Sequence, residues 1–186
     1  MKIIDKRNIS AYKICVPVIL KEVTTMDDKV MKQAKTVYET VCKSLDARGW
    51  NYKRHDEDLT ISTGARGEDL PMDIVIVVNP RAQVVSVISP LPFKISEDKR
   101  VDGALAVAIA NYGLINGSFD YDLRDGEIRF RIVSSFRDSV LGEELFNYMV
   151  MLAAGTVDDY NDKFLMISKG MWSIEDFLKW EQEKNN

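Results

Sequence analysis

Few side chains in this sequence have a type and spacing suited to chemistry. His55 is the single histidine, and it stands in Arg54-His55-Asp56-Glu57-Asp58 among three carboxylates. Such a cluster suggests a metal site or a general base. Zinc, however, needs three or four ligands at defined spacing, and neither Cys15 nor Cys42 lies within ten residues of His55. A Ser-His-Asp arrangement would have to use His55, and no G-x-S-x-G accompanies it. The stretch is expected to be a solvated charged loop. Gly64-Ala65-Arg66-Gly67 offers backbone N–H groups and a guanidinium to an anion. It lacks the Lys-Ser/Thr of a P-loop and opens no helix, so a hairpin loop is the expectation. Asp158 and Asp162 share a helix face with Asp159 nearby, but Lys163 follows and further oxygen ligands are missing. These residue types predict no metal, no cofactor and no catalytic constellation; the chain is not expected to be an enzyme.

The bulk properties narrow the field further. At 186 residues, 46% hydrophobic and 29% charged, the chain has the make-up of one globular domain. A net charge of −4 and a pI near 5.2 argue against nucleic acid and anionic membranes as partners, because both need clustered Lys and Arg. Cys15 and Cys42 sit in apolar surroundings without CxxC spacing and are expected as buried free thiols. The N-terminal MKIIDKRNIS has an acid within five residues and no apolar stretch leading to a cleavage site, so a cytoplasmic location is expected. Residues 103–119 carry no charge, but they include Asn111, Asn116 and three glycines, which suits a buried helix better than a membrane span.

The elements that would position any site can be read from periodicity. Residues 12–20, YKICVPVIL, form an apolar run that Pro17 demotes to an edge strand or an extended arm. Val30, Ala34, Val37, Val41 and Leu45 predict a helix over 26–48, capped by Thr25 or Asp27 and stopped by Gly49. Strands are expected at 59–62, at 72–78 (apolar on both faces) and at 84–88, with 62–69 as a turn-rich loop. A helix over about 97–115 follows, with Ser96 as its N-cap. Phe146, Val150, Ala153, Val157, Tyr160, Phe164 and Ile167 then hold helical spacing, with Gly155 a candidate bend and Gly170 the stop. Ser173-Ile174-Glu175-Asp176 opens a short final helix.

Residues 118–133 alternate apolar side chains with acids and then arginines. Asp125-Gly126 is the favoured two-residue hairpin turn, and it predicts Leu123 facing Ile128, Tyr121 facing Phe130 and Phe119 facing Ile132. On the outer face, Asp122 would oppose Arg129 and Asp120 would oppose Arg131. A slip by one residue would bury these four charges, so the alternation specifies the hairpin. The summed order α-β-β-β-α-β-β-α-α predicts an α+β fold with an antiparallel five-stranded sheet packed by helices. The domain is expected over 24–186, with 1–23 as an N-terminal arm or edge strand.

Several segments resemble the YbjN-like proteins, a family labelled as bacterial sensory transduction regulators that shares the type III secretion chaperone fold. They are Leu91-Pro92-Phe93-Lys94-Ile95, Asn111-Tyr112-Gly113, Gly117-Ser118-Phe119 leading to Asp125-Gly126-Glu127-Ile128-Arg129, Thr156-Val157-Asp158-Asp159-Tyr160, and Gly170. The likeness spans roughly residues 26–180. It implies a dimeric, protein-binding or regulatory module and brings no shared active site with it.

Apolar surface is in surplus. Val101, Leu105, Ala108 and Tyr112 form one stripe of the middle helix, while Ala104, Val107 and Leu114 lie on another. The arm in cis, a twofold partner, a client peptide or a small ligand would cover what the sheet does not. The expected function is a non-enzymatic interaction module, chaperone-like or regulatory, binding a protein partner through apolar sheet and helix surface that includes Val101, Ala104, Leu105, Ala108 and Tyr112, with a homodimer as its form. The alternative is a small-molecule sensor whose pocket lies between sheet and long helix and is floored by Tyr121, Phe130 and Tyr160.

Overall fold

The computed structural model describes residues 28–184. The expected arm at 1–23, Cys15, and the expected caps Thr25 and Asp27 lie outside the described residues. Helix α1 (Asp28–Ala47) buries Ala34, Val37, Val41 and Leu45 on the stripe predicted by their spacing, together with Tyr38 and Cys42. Burial pushes the Cys42 thiol up from its ordinary value, so it is an inert core group.

The sheet has six antiparallel strands, not five, in the order β1-β2-β3-β4-β6-β5. They are β1 (Tyr52–His55), β2 (Thr60–Arg66), β3 (Pro71–Asn79), β4 (Val84–Lys94), β5 (Ser118–Asp122) and β6 (Glu127–Ser135). The strand missing from the sequence reading is β1, which includes part of the expected charged loop. An edge strand needs only one packed face, and β1 packs Tyr52 against the core while Arg54 on the same face reaches over α1. The Arg54 guanidinium lies 5.1 Å from the centre of the Tyr38 ring and forms a two-point ion pair with Glu39 of α1. Nor is 62–69 a loop. β2 runs on to Arg66, opposite Pro71, and the turn is confined to 67–70.

Strand β4 also continues past its expected end. β3 pairs with it only as far as Ile88, and just beyond that point Ser89 Oγ donates to the Asp73 carbonyl at 2.8 Å. Pro90 and Pro92, which cannot donate to a ladder, fall where the β4–β6 register slips between Pro90 and Lys94. Ser96 does not cap the following helix. Its Oγ donates to the Ser168 carbonyl (2.9 Å) and its amide to Ser168 Oγ (3.2 Å), which ties the end of β4 to the end of the long helix. A 3₁₀ turn (Glu97–Lys99) then leads into α2 (Arg100–Gly113).

The β5–β6 hairpin keeps its predicted faces but not its predicted partners. Phe119 faces Phe130, Tyr121 faces Ile128, Asp120 faces Arg129 and Asp122 faces Glu127. The loop therefore has four residues, 123–126, closed by the Gly126 amide on the Asp122 carbonyl (2.7 Å), with Gly126 at φ +79°. Asp125 is drawn out of the turn: it pairs with Lys94 and accepts the Glu127 amide. A shift by two residues leaves every side chain on its own face, so alternation cannot detect it.

The outer face of this hairpin is a triad. Asp120 accepts from Arg129 at 3.2 Å and from Arg131 at 2.8 and 3.0 Å. Burial pushes the Asp120 carboxyl up, but Arg131 and Arg129 outweigh that and hold it below the usual carboxylate range. Because the folded value is depressed, the stabilisation is fully present above the unfolded value of about 3.9 and is lost as pH falls through the folded one. The stability difference between wild type and Asp120→Asn should therefore be constant from about pH 7 to 5 and shrink below about pH 4. Urea unfolding at each pH measures it, and a difference independent of pH would contradict the triad.

Helix α3 (Glu143–Ser168) passes through Gly155 as one helix and buries all seven residues of the predicted spacing. α4 (Ile174–Lys184) opens on a reciprocal cap: the Asp176 amide donates to Ser173 Oγ, and the Ser173 amide donates to the Asp176 carboxylate. All four helices share one core with a single face of the sheet, through Ile61, Ile74, Ile76, Val87, Phe130 and Ile132. No described helix is long and apolar enough to cross a membrane.

Candidate functional site

The residues singled out for chemistry are placed in ways that consume their functional groups. His55 sits on the edge strand with a ring nitrogen 3.0 Å from Ser62 Oγ. Among the described residues no carboxylate bonds its other nitrogen, so the pair lacks the orienting third member of a triad. The imagined anion cradle is filled from within: the Glu68 amide donates to the Asp158 carboxylate at 3.0 and 3.3 Å. Gly67 makes room for this contact, since a Cβ there would stand 1.8 Å from Asp158 Oδ1. Asp159 pairs with Lys184 at 3.0 Å and Asp162 with Lys163 at 2.5 Å. A polar hollow of about 340 Å³ lies over these groups, lined also by Glu68, Asp69 and Trp180. Among the described residues no three His, Cys, Asp or Glu side chains are grouped to hold a metal.

The three expected pocket aromatics occupy other surroundings. Phe130 and Tyr160 are wholly buried, each packed edge to face on Phe119 with ring centres 5.3 Å apart. Tyr121 is half-buried and donates to the Arg100 carbonyl at 3.1 Å. None of the three lines either of the hollows described here.

The α2 stripe is where apolar surface meets water. Gly103, Ala106, Val107 and Ala110 face inward. Asn111 pins the helix by exchanging two hydrogen bonds with the backbone of Phe119, at 2.7 and 3.0 Å. That rotation leaves Val101 70%, Leu105 49% and Tyr112 96% exposed, with Ala108 open beside them and Ala104 half-buried. Val107, read as part of the second stripe, is buried. Ile115, just beyond the helix, is fully exposed.

The sequence reading missed the neighbouring wall of this surface. α4 lies along α2, and between them runs a groove of about 700 Å³ lined by Leu105, Ala108, Ile109, Tyr112 and Leu178, with Glu181 and Gln182. Glu181 is buried and accepts the Tyr160 hydroxyl through both oxygens at 2.9 Å. Burial first, and then that carboxylate, push the Tyr160 hydroxyl far above its ordinary value, so it stays a donor. Lys184 adds a cation over the Tyr160 ring at 4.1 Å. Phe177, wholly buried against Phe164 and Trp180, completes the anchorage of α4. The groove is thus a hydrophobic surface held on two fixed helices.

This arrangement, an antiparallel sheet with one helical layer, is an α+β fold similar to that of two solved structures. Among solved structures the chain is similar to the ExsC–ExsE complex, with a TM-score of 0.51 and 11% identity over 69% of this chain and 93% of that one. It is similar also to YbjN of E. coli, a candidate transcription regulator, with a TM-score of 0.50 and 12% identity over 68% of this chain and 92% of that one. No protein-family model and no curated protein matches the sequence.

Proposed function

We propose that this chain is a non-enzymatic protein-interaction module, chaperone-like or regulatory, which pairs with a second copy of itself through α2 and as a pair engages a protein client. The observation that carries this reading is the exposed row Val101, Leu105, Ala108 and Tyr112 beside an apolar groove, on a helix whose other side is fully used. An apolar face of this kind marks an interaction site more often than a bare surface. Ala104 and Ala108 are small enough to let two helices approach closely. An antiparallel pairing about Ala108 sets Tyr112 of one copy opposite Ala104 of the other, where the ring can enter the groove. That one of the similar structures is a complex of two proteins, ExsC and ExsE, supports a protein partner.

The test compares tagged wild type with tagged Ala108→Asp, each exposed to lysate of the native organism and read by mass spectrometry. A protein recovered near stoichiometry with wild type and lost with Ala108→Asp is expected. Recovery of nothing by either would contradict the reading. A groove of about 700 Å³ also falls within the range of small-molecule sites, which gives a small apolar ligand as the second reading. A metabolite that raises the melting temperature of wild type but not of Ala108→Asp, whose carboxylate would stand in the groove wall, with no protein recovered, would favour it.

A further inference from the structure

α3 carries a second apolar surface. Glu144, Tyr148, Met151, Gly155 and Asp159 follow four-three-four-four spacing, which sets them in one row along its exposed side. Tyr148 is 46% exposed and Met151 55%, and half-buried Leu152 borders them. Asn116 donates to the Tyr148 hydroxyl at 3.3 Å, which brings the fully exposed Ile115 to the same end of the row. At helical rise the apolar centre, 148–155, is ~10 Å long, and the row from acid to acid is ~22 Å.

Gly155 is the member of this row that the chain's own packing does not explain. It stands in the middle of a 26-residue helix, where glycine is less favourable than alanine. In α2 the neighbours require Gly103, because a Cβ there would stand 3.0 Å from Ile95 and from the Tyr121 hydroxyl. A Cβ at Gly155 would meet nothing within 4 Å. What a bare backbone at an exposed helix position provides is close approach from outside, at the near end of the ~8–10 Å over which helices pack. The charges say what approaches. Acids bound the row at both ends, and α3 carries Glu143, Glu144, Asp158, Asp159 and Asp162 against Lys163 alone, a net charge of −4. Glu144 lies 3.9 Å from Arg48 and Asp159 3.0 Å from Lys184, but both carboxylates are exposed, and exposed pairs hold weakly.

We infer that this row is the client's seat: it receives an amphipathic helix of a protein partner, with lysines or arginines flanking that helix's apolar face. The helix lies nearly along α3, comes closest at Gly155, packs on Tyr148 and Met151, and sets its basic ends against Glu144 and Asp159. The Met151 thioether adapts to whatever apolar side chain it meets. This rests on the client half of the reading above and is independent of pairing through α2.

The probe is a fluorescent helical peptide of about 18 residues, with a leucine stripe, a central alanine and lysines at both ends, beside a counterpart with glutamates at the ends. Fluorescence anisotropy should show the lysine peptide binding full-length wild type and Ala108→Asp equally, whether or not α2 pairs. Gly155→Ala should weaken that binding about tenfold or more, the effect of overpacking a close contact. The same variant should melt ~2–4 °C higher, because alanine suits a helix better and has open space here. Equal binding to wild type and Gly155→Ala overturns the inference, as does no binding to wild type or a preference for the glutamate peptide. Binding lost in Ala108→Asp and kept in Gly155→Ala would seat the helix in the α2–α4 groove instead. A lower molar mass for Gly155→Ala than for wild type would give the row to a second copy. Either result overturns the assignment.

Discussion

Phe177→Ala is expected to destabilise the protein by about 3–5 kcal/mol, the range for removing a buried phenylalanine. Phe177 is wholly buried, with its ring 5.5 Å from Phe164, 5.6 Å from Trp180 and 6.4 Å from Tyr160. Phe164 and Tyr160 belong to a long helix already packed on the sheet, so they are poorly placed to collapse into the space. Against a typical total of roughly 5–15 kcal/mol, such a loss is severe. The effect should also be uneven. α4 is held by Phe177, by the Tyr160–Glu181 hydrogen bonds and by the Lys184–Asp159 pair, and these partners all lie on α3. In urea, Trp180 fluorescence should therefore shift to the red before the helical signal falls, as α4 leaves first. A loss under about 1 kcal/mol, below the range for a buried ring, would mean that α4 is not anchored as described.

Gly117→Ala is expected to cost roughly 2–5 kcal/mol, combining a left-handed backbone penalty with overpacking of a full core. Gly117 has φ +76°, and a Cβ there would lie 2.3 Å from Cζ of the wholly buried Phe130. Neither the ring nor the turn has room to yield, because Phe119, two residues on, packs edge to face on the same ring. Chemical denaturation of the variant measures the cost. A neutral effect would place the α2–β5 turn elsewhere.

The parts of this fold legible in the sequence are those whose signal is local and periodic. The four-three spacing from Phe146 to Ile167 gives α3, and the alternation through 118–133 gives a hairpin with one buried face. What escaped depends on distance or on polarity. β1 is short and mostly polar, and is held by Tyr52 and Arg54 reaching α1, contacts with no periodic trace. The hairpin partners escaped because a two-residue shift conserves faces, and the Lys94–Asp125 pair that accompanies the observed register comes from another strand. Pro90 and Pro92 ended the predicted strand because the bulge that accommodates them is set by β6.

The interaction surface divides in the same manner. Val101, Leu105, Ala108 and Tyr112 could be grouped from helical spacing alone, and they do share the exposed side of α2. The far wall could not. Glu181 sits in a run of charged residues that reads as solvated, and only the fold shows it buried beneath Tyr160, 21 residues earlier. Likewise nothing local joins Gly67 to Asp158, 90 positions from the Glu68 amide it accepts. The carboxylate there closes the cradle that the glycine-rich stretch had suggested for an outside anion.

The central claim is that the α2 face meets a second copy, and molar mass in solution tests it most directly. Light scattering of the full chain is expected to give twice 21.2 kDa for wild type, and 21.2 kDa for Ala108→Asp with an unchanged circular dichroism spectrum. The aspartates would meet at the twofold axis, where two like charges in an apolar contact repel. A wild type that remains at 21.2 kDa across the accessible concentration range would contradict the account.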